Sequence, residues 1–181
     1  SRGSNGVILI TTKSGSVNKT TLTYDGYYSV QKFAALPDIM TGEEFYNFKQ
    51  ERFANQITLS EQEVYDSKNW VDWLDLGLRK GNSQQHNLSA SGGFQNTKFY
   101  IAGSLLDVKG IAINDDYRRI TTRINVDTKV VEWLSIGTRT QYSMDDRSGE
   151  GPSMSGLLWT NPLSTPYDEN GDLTIYPWPE D

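Results

Sequence analysis

Few residues in this 181-residue chain could do covalent chemistry. Cysteine is absent and His86 is the only histidine, which excludes disulfides, thiolate nucleophiles, Cys-based zinc sites and a two-histidine metal centre. Carboxylates occur as adjacent pairs, Glu43-Glu44, Asp115-Asp116 and Asp145-Asp146. Glycoside hydrolysis needs two carboxyl groups flanking one bond, whereas sequence neighbours face opposite sides of a strand or sit about 100° apart on a helix. The run Asp168-Glu169-Asn170-Gly171-Asp172 lacks the spaced ligands and terminal Glu of a calcium-binding EF-hand and reads as an exposed turn. Ser4 to Gly6 is no phosphate loop, because no Gly-Lys-Ser/Thr follows. The residues therefore predict no catalytic group, no metal ligand and no cofactor.

Charge narrows the partners. Seventeen basic against 23 acidic residues give a net charge of -6, so no large positive field awaits a phosphate backbone and nucleic acid is not an expected partner. No apolar run is long enough for a membrane-spanning helix, but barrel strands alternate polar and apolar residues and escape that test. The chain begins at Ser1 without an initiator Met or an apolar leader, and it reads as a fragment.

The elements that position these residues are mostly strands. Asn5, Gly6, Val7, Ile8, Leu9 and Ile10 open a continuous β-branched run to Lys13, the pattern of a strand buried on both faces. From Thr20 the pattern changes to alternation. Leu22, Tyr24, Tyr28 and Val30 share one face, with Thr23, Asp25, Tyr27, Ser29 and Gln31 on the other. The same grammar returns around Leu88, Phe99, Ile120 and Leu134, giving five strands of about ten residues, the length that crosses a bilayer at a tilt. Tight turns are expected at Gln95-Asn96-Thr97 and at Lys129 to Glu132, and long links over 32–83, 107–116 and 145–181. In an up-and-down meander this sorts short turns to one end and long loops to the other, as in outer-membrane barrels. Within the first long link, Thr41 to Glu44 and Ser60 to Glu63 are capping-box patterns that predict two helices.

The opening stretch Arg2-Gly3-Ser4-Asn5-Gly6-Val7-Ile8-Leu9-Ile10-Thr11-Thr12-Lys13-Ser14-Gly15 closely resembles the end of the plug domain in the SusC/RagA family of TonB-linked outer-membrane transporters. Tyr24-Asp25-Gly26-Tyr27-Tyr28, the Glu43 to Tyr46 run, His86-Asn87-Leu88-Ser89, Lys98-Phe99-Tyr100 and Tyr117-Arg118-Arg119 are similar to that family's first barrel strands and loop. The resemblance covers nearly all of residues 1 to 144. It implies a β fold, a fragment of a large antiparallel transmembrane β-barrel, 22-stranded in the family, with the last strand of its plug and a partly helical external loop. Residues 1–15 would end the plug, 16–19 would connect, and 20–181 would begin the barrel. The implied function is TonB-dependent import of glycans or oligopeptides across the bacterial outer membrane, with a SusD-like surface lipoprotein as partner and the TonB complex supplying energy.

Within that frame Asp25, Tyr27, Arg119, Arg123, Asp127 and Arg139 fall on polar strand faces and would point into the lumen, where a ladder of cross-strand charge pairs is the favoured reading. Trp70, Trp73, Trp159, Tyr167 and Trp178 fall in external loops, where they could stack on sugar rings or pack the loops together; packing is favoured. Tyr24, Tyr28, Phe94 and Tyr142 suit an interfacial aromatic girdle in contact with outer-membrane lipid. The competing reading is a soluble or cell-surface β-rich carbohydrate-binding module, with alternating strands, Trp70, Trp73 or Trp178 in a closed carbohydrate pocket, and no need of lipid.

Overall fold

The computed structural model describes residues 19–168 and 170–172; the plug strand expected at Asn5 to Ile10, and Trp178, lie outside the described residues. Five strands, β1 (Thr21–Gln31), β2 (Gly81–Phe94), β3 (Thr97–Lys109), β4 (Asp116–Val131) and β5 (Leu134–Ser148), form one sheet in chain order, a meander. The two-residue turns Gln95-Asn96 and Glu132-Trp133 force antiparallel neighbours, with Gln95 in the left-handed region at φ 50°. The second turn falls later than the residues predict. The cause is continued pairing of β4 with β3: the Lys129 N–H donates to the Asn96 carbonyl at 2.9 Å and the Thr128 and Thr97 hydroxyls meet at 3.1 Å. Strands β2 to β5 run to 14, 13, 16 and 15 residues rather than about ten.

The chain divides into two units. The first is the sheet, comprising residues up to Ser29, Ser83–Val108 and Tyr117–Arg147. Its strands alternate in period two. On one face lie Leu22, Tyr28, Leu88, Ile101, Ile124, Ile136 and their neighbours, and these large apolar side chains stand open, Leu22 at 72% and Ile136 at 59% exposure. The strand positions of that face carry no charged residue except Asp107, Lys109, Asp116, Arg118 and Asp146, all at the ends joined by long links. Burial of such a face against water is strongly favourable, at roughly 25 cal/mol per Å2, so it demands an apolar neighbour. The four girdle aromatics Tyr24, Tyr28, Phe94 and Tyr142 are exposed.

The second unit comprises Val30–Asn82, Lys109–Asp116 and the residues from Ser148. It holds α1 (Gly42–Arg52), a 3-10 turn at Ala54–Gln56, α2 (Leu59–Ser67), α3 (Trp73–Gly77) and α4 (Met154–Trp159). All four buried apolar residues among those described, Val64, Leu74, Leu157 and Leu163, belong to it. Helix α1 starts at the expected box: the Glu44 N–H donates to the Thr41 hydroxyl at 3.3 Å and the Thr41 N–H to the Glu44 carboxylate at 2.9 Å. The Thr41 N–H and the Thr41 hydroxyl, which donates to the same carboxylate at 3.0 Å, hold the Glu44 carboxyl below its ordinary value.

Helix α2 starts elsewhere than predicted. Its box is Thr58 with Glu61, at 3.1 and 3.0 Å, not Ser60 with Glu63. The Glu61 side chain faces inward, 2% exposed, and accepts from Lys49 Nζ of α1 at 2.7 and 2.6 Å and from Asn161 Nδ2 at 2.6 Å. Desolvation raises its pKa, but the Lys49, Thr58 and Asn161 donors outweigh it and leave the carboxyl below its ordinary value. One buried carboxylate thereby joins α1, the start of α2 and the segment after α4.

Candidate functional site

The polar face of the sheet is a set of cross-strand pairs. Between β4 and β5, Arg119 Nε donates to Asp145 at 2.6 Å, the Thr121 and Ser143 hydroxyls meet at 3.2 Å, and Arg123 donates twice to Gln141 Oε1 at 3.1 and 2.5 Å. As one number rises by two the other falls by two, the antiparallel register. Arg139 then reaches diagonally to Asp127 at 2.8 Å across Gly137, where any Cβ would lie 2.5 Å from the Asp127 carboxylate. Between β1 and β2, Asn87 donates to Asp25 at 2.8 Å and Ser29 meets Ser83 at 2.7 Å. Of the residues expected on this face, Asp25, Arg119, Arg123, Asp127 and Arg139 thus have strand partners, and Tyr27 stands exposed. The side chains of Asp25, Asn87, Ser89, Tyr100, Thr121 and Arg123 line a shallow concavity of about 460 Å3. Hydroxyls, amides and one guanidinium give it donors and acceptors suited to a polyhydroxylated solute or a polar polypeptide.

Residues beyond the expected strand ends extend this face. The Tyr117 hydroxyl donates to Asp145 at 2.9 Å, and two guanidinium groups approach the Tyr117 ring, Arg119 at 5.3 Å and Arg147 at 5.8 Å from its centroid. Residue parity alone would have shown Arg147 on this face, had β5 been followed past Ser143.

In the loop unit, Trp70 covers Gly42 at the start of α1, so closely that a Cβ at Gly42 would overlap the indole. Trp73 donates its Nε1–H to the Asn161 carbonyl at 2.9 Å and is half-buried. Trp159 is 83% and Tyr167 48% exposed. Trp70 and Tyr167 line a cleft of about 340 Å3 together with Asn69, Asp72 and Asp75. Asp72 is the α3 cap, its carboxylate accepting from the Leu74 and Asp75 amides at 3.0 Å each. An aromatic wall beside carboxylate acceptors can stack and hydrogen-bond a sugar ring.

The adjacent acids are engaged structurally. Glu44 caps α1, Asp116 binds Arg79, and Asp145 binds Arg119. Asp168 folds its own turn, its Oδ1 accepting the Asp172 and Asn170 amides at 2.9 Å each, which lowers its pKa. Among the described residues no three His, Asp or Glu side chains converge where a metal ion could be held.

An apolar sheet face charged only at its long-link ends, a paired polar face, and two-residue turns opposite long links define a stretch of antiparallel barrel wall with a helical loop. No protein-family model matches the chain. Its sequence is 31% identical over 178 residues to a TonB-dependent receptor of Formosa agariphila, covering 97% of this chain and 17% of that protein. It is 28% identical over 171 residues to the TonB-dependent receptor SusC of Bacteroides thetaiotaomicron, covering 92% and 17%. Its fold is similar to that of the RagAB peptide importer in the closed-closed state, with a TM-score of 0.65 at 21% identity over 90% of this chain and 23% of that one. The open-open state gives 0.65 at 24% identity over 96% and 24%. The resemblance to SusC/RagA TonB-dependent receptors is therefore borne out along nearly the whole chain. The chain spans about a sixth of the length of the curated relatives it matches, 17% in both cases.

Proposed function

We infer that the chain forms the start of the barrel wall in an energy-coupled outer-membrane importer. Residues 1–15 would close the plug, 16–19 lead out of it, and 20–181 open the barrel. The observation that carries this reading is the apolar sheet face, open to its surroundings and free of charge except at the long-link ends. Hydrocarbon is the neighbour such a face requires, and the charges at its margin suit the outer interface.

The cargo is a glycan, with an oligopeptide as the alternative, delivered with a SusD-like lipoprotein and moved by TonB-driven rearrangement of the plug. No bond of the cargo is broken. The exposure of Trp159 and Tyr167 supports a role in meeting cargo or partner, whereas Trp70 and Trp73 support the loop from within. The test is the full-length protein. It should require detergent for monodispersity and, with its lipoprotein, should take up labelled oligosaccharides only when the proton gradient is intact. A full-length protein that stayed monodisperse in plain buffer would overturn the barrel reading; energised uptake of peptides alone would replace the cargo.

A further inference from the structure

We propose that the Arg147–Tyr117–Arg119 cluster at the long-link end of β4 and β5 is a receiving site for anionic groups, so that the cargo is an acidic, carboxylate-bearing glycan. The proposal rests on the importer reading, which places this face toward the lumen and this end toward the incoming cargo.

The chain as a whole carries a net charge of -6, yet its polar sheet face has the opposite sign. By strand parity that face bears Lys98, Arg119, Arg123, Lys129, Arg139 and Arg147 against only Asp25, Asp127 and Asp145. Solubility explains excess acid on the loops; it does not explain excess base on the wall. Within the cluster the charges do not balance. Asp145 accepts from Arg119 and the Tyr117 hydroxyl and also lies within electrostatic reach of Arg147, so one carboxylate serves two guanidinium groups; no carboxylate among the described residues comes within 4 Å of Arg147.

The way Arg147 is held leaves it able to bind. Its guanidinium lies 5.8 Å from the Tyr117 centroid, with Arg119 at 5.3 Å. Among the described residues Arg147 makes no side-chain hydrogen bond, so its N–H donors stay available beside the ring. Those donors match the two oxygens of a carboxylate. Two guanidinium groups held by one ring also repel each other, and an arriving anion relieves that repulsion. Hydroxyl-rich neighbours in the same face, Thr121, Ser143 and the concavity below, suit a polyhydroxylated chain attached to that anion.

The experiment uses the full-length transporter with its lipoprotein in energised cells. The probes are a pool of uronate-bearing oligosaccharides and the same pool after chemical reduction of its carboxyl groups. The wild type should take up the acidic pool about tenfold better, the order of one charge-assisted contact at roughly 1.4 kcal/mol per factor of ten. Arg147→Gln should erase the preference by lowering uptake of the acidic pool, and Arg147→Lys should retain part of it. An unchanged acid preference in Arg147→Gln overturns the proposal, and if large antibiotics then leak through, Arg147 is a strut for the plug instead. Equal uptake of both pools by the wild type also overturns it while leaving the importer intact. Uptake of neither pool overturns the proposal together with the glycan reading, and uptake of a tryptic peptide pool in its place would still uphold the barrel.

Discussion

Lys49 donates to both oxygens of Glu61, at 2.7 and 2.6 Å, from a side chain only 16% exposed to one that is 2% exposed. Breaking a buried pair by removing one partner leaves the other uncompensated. Glu61→Gln should cost the loop unit about 3 kcal/mol, at the low end of the buried-pair range because the Lys49 stem can carry its ammonium to water. Hydrogen exchange in the full-length protein should show faster opening of α1 and α2 with the sheet amides unchanged; equal protection in wild type and variant would contradict the assignment.

The same carboxylate sets an acid limit. The folded pKa of Glu61 lies below its unfolded value, so the folded unit binds its proton less readily than the unfolded chain. The stabilisation is complete above the ordinary glutamate range of about 4.3 and drains away as pH falls through the lower, folded value. Limited proteolysis between Thr41 and Asn69, followed with an acid-active protease, should accelerate on acidification, and this extra acceleration should vanish in Glu61→Gln.

Gly42 exists to let Trp70 close over the first turn of α1. In Gly42→Ala the new methyl would lie 2.6 Å from Trp70 Cδ2 and overlap the root of the side chain, which cannot rotate clear as a flexible tip could. The overpacking should cost about 1 to 3 kcal/mol and push the indole toward water. A red shift of tryptophan emission together with earlier loop proteolysis would register it; retained emission and stability would mean the turn has room to spare.

The two sheet faces can be told apart by one charge on each. Ile124 stands mid-strand on the apolar face of β4, and Thr121 stands nearby on the polar face. Ile124→Arg should destabilise the full-length protein in lipid by about 2 to 4 kcal/mol, and Thr121→Arg by much less. Urea unfolding from vesicles measures both, and equal costs would argue that no hydrocarbon touches this face.

Period-two alternation made the sheet legible because it is a local signal repeated along five strands, and even the apolar face can be read by parity alone. The ends of the elements were harder. Thr58 and Ser60 both precede a Glu by three residues, so two capping boxes compete on equal local terms, and the outcome is decided by Lys49 and Asn161, far away in sequence, which need Glu61 inside. The Trp73 indole finds its acceptor at Asn161, 88 residues on, by a loop fold that no spacing reveals. The Tyr117 and Arg147 cluster escaped because β5 was expected to stop early, although its odd positions keep the polar rhythm to Arg147.

All the buried apolar residues described lie in the helical loop, and none lies in the sheet. On the importer reading, these five strands present a broad apolar side to water until lipid covers it, a template for aggregation. A polypeptide of this design travels badly through an aqueous compartment. If the importer reading holds, the strands need shielding on the way to the membrane, while the helical unit has a small interior of its own.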